Sequence, residues 1–125
     1  MDQGPNKIII VEDDPETAMM FAEMVRLLEY QGQIASSGTE AIEIIAKENP
    51  KAVILDWILP DISGIDVMQK LNKDARLASI PIILISAKMH TEEIEQGVRM
   101  GASAYLTKPV DFKDIRNALN TLIVK

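Results

Sequence analysis

The amino-acid sequence predicts an α/β fold: one parallel sheet held between layers of helices. Three observations predict it. Short, nearly continuous runs rich in β-branched residues recur along the chain, as in strands covered on both faces. A polar turn follows each run. A longer segment comes next, with apolar residues three and four apart, the period of an amphipathic helix. Strand and helix in alternation imply parallel strands joined by right-handed crossovers.

In chain order, the first strand is predicted over Lys7–Val11. Asp14-Pro15 then reads as a helix N-cap followed by proline at the first helical position. The helix it opens covers Thr17–Leu28, with Phe21, Met24, Val25 and Leu28 on its apolar side. A weaker strand at Gln33–Ser36 leads to a second helix over Thr39–Lys47, carrying Ala41, Ile42, Ile44 and Ile45. Ala52–Leu55 is the third strand, and Ile65, Val67, Met68 and Leu71 define a third helix. Pro81–Ile85 is the fourth strand. Ile94 and Val98, four apart, mark a fourth helix that Gly101 stops. Ala104–Leu106 is the other weak strand, and Phe112, Ile115, Leu119 and Leu122 step through a fifth helix. Gly32, Gly38, Pro50, Pro60 and Gly64 mark turns.

Composition narrows the function. With 125 residues the chain is expected to be one domain over 1–125, its core over about 7–123, with no output domain inside it. An apolar share of 47% and a charged share of 26% exclude disordered, collagen-like and low-complexity classes. No apolar run approaches the ~20 residues of a membrane span, and the polar start Met1–Lys7 lacks a signal-peptide core. A cytoplasmic protein with no membrane partner is expected. The absence of cysteine excludes disulfides, thiolate zinc sites and cysteine nucleophiles. A net charge of −6 argues against direct binding of a nucleic-acid backbone.

In open parallel sheets, ligands bind outside the carboxyl ends of the strands. Glu12-Asp13-Asp14 follows the first apolar run, Asp56 ends the third, Ser86 follows the fourth, and Thr107-Lys108-Pro109 follows the fifth. Taken alone, the acidic triplet fits a solvated turn that caps the next helix, and Asp14 fits that duty. Asp56, a separate carboxylate ending a buried strand, shifts the reading toward a site. Carboxylates crowded together repel, and a hard cation relieves the conflict; oxygen ligands with several waters suit Mg²⁺. Asp56 is the candidate nucleophile toward phosphorus. Lys108 and Ser86 are placed to engage the phosphoryl oxygens.

The ordered set resembles the receiver domain of two-component response regulators. The marks are Glu12-Asp13, Asp56-Trp57-Ile58-Leu59-Pro60, Gly64, Ser86-Ala87 and Tyr105-Leu106-Thr107-Lys108-Pro109, covering about Lys7 to Ile123. The resemblance implies a flavodoxin-like, five-stranded sheet in order 2-1-3-4-5, flanked by five helices. It implies Mg²⁺-dependent transfer of a phosphoryl group to Asp56 from the phosphohistidine of a histidine kinase or phosphotransfer protein. Asp13, Asp56 and the Ile58 backbone carbonyl would hold the metal directly, and Glu12 through water. Ser86 would be the switch hydroxyl, Tyr105 the switch aromatic and Lys108 the phosphate-binding lysine. A cis peptide before Pro109 is also implied; only about 5% of X–Pro bonds are cis, so composition alone does not predict it. Ser86 stands for the commoner threonine and Glu12 for aspartate, and neither change removes chemistry. Ile58 and Lys88 occupy positions that tune acyl-phosphate lifetime. A homodimer or output partner is expected at residues 91–121. The protein would be a signalling domain that catalyses only its own phosphorylation and dephosphorylation.

Other residues read more plainly. His90 is expected in a surface loop, Trp57 at the rim of the site, and the seven methionines as filler or surface. Two rivals are disfavoured. A flavodoxin-like cofactor binder needs phosphate-cradling amides after the first strand, where this chain has carboxylates. An aspartate-nucleophile phosphatase of the haloacid dehalogenase type carries a second aspartate two residues on, where this chain has Ile58.

Overall fold

The computed structural model describes residues 6–87 and 91–123, so Lys88 and His90 lie outside the described residues. Among these residues run β1 (Lys7–Val11), α1 (Pro15–Leu27), β2 (Gln31–Ala35), α2 (Gly38–Glu48), β3 (Ala52–Asp56) and α3 (Gly64–Leu71). Then follow α4 (Ala75–Ala78), β4 (Ile82–Ser86), α5 (Thr91–Arg99), β5 (Ala104–Thr107) and α6 (Phe112–Leu122). The sheet order is β2-β1-β3-β4-β5, with every neighbouring pair parallel. The expected sheet order therefore holds, but β2 begins two residues earlier and ends one earlier than read, and Gly32, read as a turn, lies inside it, because the pairs Lys7↔Gln31 and Ile8↔Gly32 carry the ladder back to the start of β1.

Successive strand residues point to opposite faces, and the two cores follow that alternation. Ile9, Val11, Val53, Leu55, Ile82 and Leu84 pack with Ala41 and Ile45 of α2 and with Val67, Met68 and Leu71 of α3. Ile8, Ile10, Ile54, Ile83 and Ile85 pack with Phe21 and Val25 of α1 and with Ile115 and Leu119 of α6. The three central strands are almost wholly buried, so burial on both faces explains why they read as continuous apolar runs.

Helix starts obey local chemistry. Asp14 caps α1 by accepting from the Thr17 amide, with Pro15 at the first helical position. Ser63 and Asp66 form a capping box at α3, and Asp111 and Asp114 form another at α6.

Three further differences from the sequence reading have physical causes. β3, β4 and β5 each extend one residue further, because the pairs Asp56↔Ile85 and Ser86↔Thr107 continue the ladder past the apolar runs. The one-turn α4, too short to show a period, is set by Asp74, whose carboxylate accepts from the Arg76 amide at 2.9 Å, and by buried Leu77. Val98 is 61% exposed, not part of a buried stripe. The inner face of α5 instead runs through buried Gly97; a Cβ there would lie 2.8 Å from Leu84 Cδ2.

Candidate functional site

With all strands parallel, the carboxyl ends of β1, β3, β4 and β5 open on one edge, and the predicted residues meet there. Among the described residues, the buried polar side chains are Glu12, Asp56 and Ser86. Glu12 lies one residue past β1, its amide donating to Ala35 O at 3.0 Å. Asp56 is the last residue of β3, and the following amide of Trp57 donates to Ile85 O at 2.8 Å. Ser86 ends β4 and accepts at its carbonyl from the Lys108 amide at 2.8 Å. The Lys108–Pro109 peptide is cis.

Lys108 links the cluster. Its Nζ donates to Asp56 Oδ2 at 2.9 Å and to Glu12 Oε1 at 3.1 Å. Asp56 Oδ1 accepts from the Ile58 amide at 3.2 Å. Glu12 Oε2 accepts from the Asp14 amide at 3.2 Å. Burial pushes the Glu12 carboxyl above its ordinary value; the Asp14 amide opposes this, and the Asp56 charge adds to it. Burial by itself would lower the Lys108 ammonium, but the hydrogen bonds and charges of Asp56 and Glu12 outweigh it and leave the group above its ordinary value.

Asp13, exposed, lies on the open side of the site. Carboxylate oxygens of Glu12, Asp13 and Asp56 lie within 4.8 Å of one another. This all-oxygen, acidic set fits a small hard cation such as Mg²⁺ better than a soft metal. Asp13 is exposed, as suits a ligand that shares its cation with water, while Glu12 and Asp56 are buried. Lys108, bonded to both Asp56 and Glu12, sets a positive charge beside these carboxylates.

The remaining predicted residues surround this group. Ile58 brings its backbone to Asp56 and leaves its side chain 65% exposed. Tyr105, partly buried on β5, meets Trp57 edge to face with ring centroids 6.5 Å apart. Trp57 thus packs at the rim, as expected. Gly64 lets the returning chain close over Asp56: a Cβ there would lie 2.6 Å from Asp56 O.

Asp61 was not legible as a site residue. Its carboxylate, on the loop after Asp56, accepts from the Gly38 amide at 2.8 Å and the Thr39 amide at 2.9 Å. It also accepts from Thr39 Oγ1 at 2.5 Å. The two segments are 22 and 23 residues apart, and no local pattern links them.

Comparison with known proteins agrees with this geometry. The family model described as the response regulator receiver domain matches residues 8–120. The chain is 30% identical to protein PilH of Pseudomonas aeruginosa, over 94% of this chain and 97% of PilH. It is 31% identical to the phosphate regulon transcriptional regulatory protein PhoB of the same organism, over 93% of this chain but only 51% of PhoB. The solved receiver domain of Francisella response regulator 1452 superposes with a TM-score of 0.86 at 28% identity, covering 95% of this chain and 96% of that one. A matching family model over nearly the whole chain, on a sheet with this strand order and this acidic edge, makes the protein a member of the response regulator receiver family.

Proposed function

We propose that this receiver domain is the phosphoacceptor of a cytoplasmic two-component phosphorelay. Receiver domains are signalling domains that work with histidine kinases. The observation that carries the reading is Asp56: a buried carboxylate ending a central strand, one oxygen on Lys108 and its neighbours Glu12 and Asp13 within metal-sharing distance. The donor is a phosphohistidine of a histidine kinase or phosphotransfer protein. An Asp56 oxygen forms the new O–P bond as the N–P bond breaks, and the electron pair stays on the imidazole nitrogen. Asp56 reacts as the carboxylate and surrenders no proton.

The other residues position and balance charge. Lys108 is already charged and directed at Asp56, so it can meet a phosphoryl oxygen with little rearrangement. Ser86 supplies a hydroxyl to another oxygen. Asp13, Asp56 and the Ile58 carbonyl, with Glu12 through water, would hold Mg²⁺, which when bound would supply positive charge to the phosphoryl oxygens. Later hydrolysis of the acyl-phosphate is the same site's only other reaction. Movement of Ser86 and Tyr105 would pass the state to α5, β5 and α6, where a second copy or an output partner docks.

Incubation with Mg²⁺ and acetyl phosphate tests the assignment. Intact-mass analysis is expected to find one acid-labile phosphoryl group on wild type and none on Asp56→Asn. Equal incorporation in both would remove Asp56 as the acceptor.

A further inference from the structure

We infer that Asp61 is a positioning residue: it ties the tip of the loop after Asp56 to the first turn of α2, and so holds Ile58 beside Asp56. The inference rests on the phosphoacceptor reading of the site, since it assigns Asp61 a task in presenting the Ile58 carbonyl to Mg²⁺.

The loop is closed at its neck by the Gly64 amide, which donates to Trp57 O at 2.8 Å. Between neck and tip, Ile58 is 65% exposed and has little side-chain packing to hold it. Leu59 is buried. The tip is held by Asp61 through its three bonds to Gly38 and Thr39. These bonds depress the Asp61 carboxyl well below the usual carboxylate range, the Thr39 hydroxyl contributing most, so the tie is charge-assisted at working pH.

Helix capping alone does not account for the arrangement. α2 already has its own N-cap, Ser37, whose hydroxyl accepts from the Glu40 amide at 3.2 Å and whose carbonyl accepts from the Ala41 amide at 3.0 Å. Asp61 takes the two amides that Ser37 leaves, and does so from a separate segment. The helix end is the fixed point and the loop is the part held, because α2 is anchored in the core by Ala41 and Ile45.

The test is Mg²⁺ titration followed by Trp57 fluorescence, on wild type, Asp61→Ala, Asp61→Asn and Ser37→Ala, with circular dichroism confirming that each is folded. Asp61→Ala should weaken Mg²⁺ binding by about tenfold, the low end for groups that orient metal ligands. Asp61→Asn, keeping one acceptor oxygen, should lose less. Ser37→Ala weakens the same helix end without releasing the loop, and should bind Mg²⁺ as wild type does. Phosphorylation of Asp61→Ala by acetyl phosphate should return close to the wild-type rate at saturating Mg²⁺. The inference is overturned if Asp61→Ala binds Mg²⁺ like wild type, or if Ser37→Ala weakens it equally. Failure of wild type itself to bind Mg²⁺ would instead overturn the reading of the site, and this inference with it.

Discussion

Adjacent carboxylates at the end of β1 have separate duties. Asp14 serves α1: its Oδ2 accepts from the Thr17 amide at 3.0 Å and from Thr17 Oγ1 at 2.5 Å. Asp13 makes the acidic cluster with Glu12 and Asp56. Asp13→Ala is therefore expected to weaken Mg²⁺ binding by about tenfold or more, since loss of the direct ligand proposed here should exceed loss of an outer one. Asp14→Asn should keep most of that affinity and lower the thermal midpoint by a few degrees. The pH dependence follows from the same contacts. The Thr17 hydroxyl holds the Asp14 carboxyl below its ordinary 3.8 in the folded state. A depressed folded value means the contribution is full above the ordinary value and is lost as pH falls through the folded one. The gap in midpoint between wild type and Asp14→Asn should therefore narrow in acid, below about pH 4; thermal melts across pH check it, and a gap that widened would reverse the sign assigned here.

Two glycines bring helices close to the sheet, against neighbours of unequal rigidity. At the start of α3, a Cβ on Gly64 would press on backbone: 2.6 Å from Asp56 O and 3.1 Å from Trp57 Cα. Strand and loop backbone cannot rotate away, so Gly64→Ala should cost about 1–3 kcal/mol, the usual range for overpacking. On α5, a Cβ on Gly97 would instead meet the end of the Leu84 side chain at 2.8 Å. That side chain can shift, and alanine gains about 1 kcal/mol of helix propensity over glycine. Gly97→Ala should thus stay within about 1 kcal/mol of wild type. Urea unfolding of both variants makes the comparison, and equal losses would show that Leu84 is as immovable as the backbone. The helices were largely legible because their periods and caps are local. The spacing of Ile94 and Val98 marked α5 correctly, but it did not show that Val98 is exposed and that the close approach to the sheet is made by Gly97. α4 escaped because one turn carries no repeat.

Across the molecule, the site and the expected partner surface, residues 91–121, share β5, which pairs with β4. Ser86 pairs with Thr107, and the Lys108 amide returns to Ser86 O at 2.8 Å, so a shift at the end of β4 bears directly on β5. Over its described side chains, Ile94 to Arg99, α5 buries only Gly97. Its far end is tied where Asn72 Nδ2 donates to Met100 O at 2.7 Å. An element with few buried contacts is one whose alternative positions differ little in free energy. Beryllofluoride, a phosphoryl mimic, should therefore change amide exchange beyond the site loops, in α5, β5 and α6. Ser86→Ala should still bind the mimic but confine the change to the loops. Perturbation that spreads equally in Ser86→Ala would exclude the hydroxyl as the link.

The sequence by itself determined the alternation of strand and helix, the buried central strands and the edge on which Glu12, Asp13, Asp56, Ser86 and Lys108 would lie. Each of these follows from short-range pattern: continuous apolar runs, helical spacing, and the residue that comes just after a strand. Strand order and the cis peptide before Pro109 came only through resemblance to a family, since neither has a local physical signature. The tertiary structure alone decided which atoms meet. It placed Lys108 between Asp56 and Glu12, from positions 52 and 96 residues away, and brought Asp61 onto the first turn of α2. Contacts of that kind depend on register between distant elements, and register is fixed by core packing on both faces of the sheet, not by any neighbouring residue.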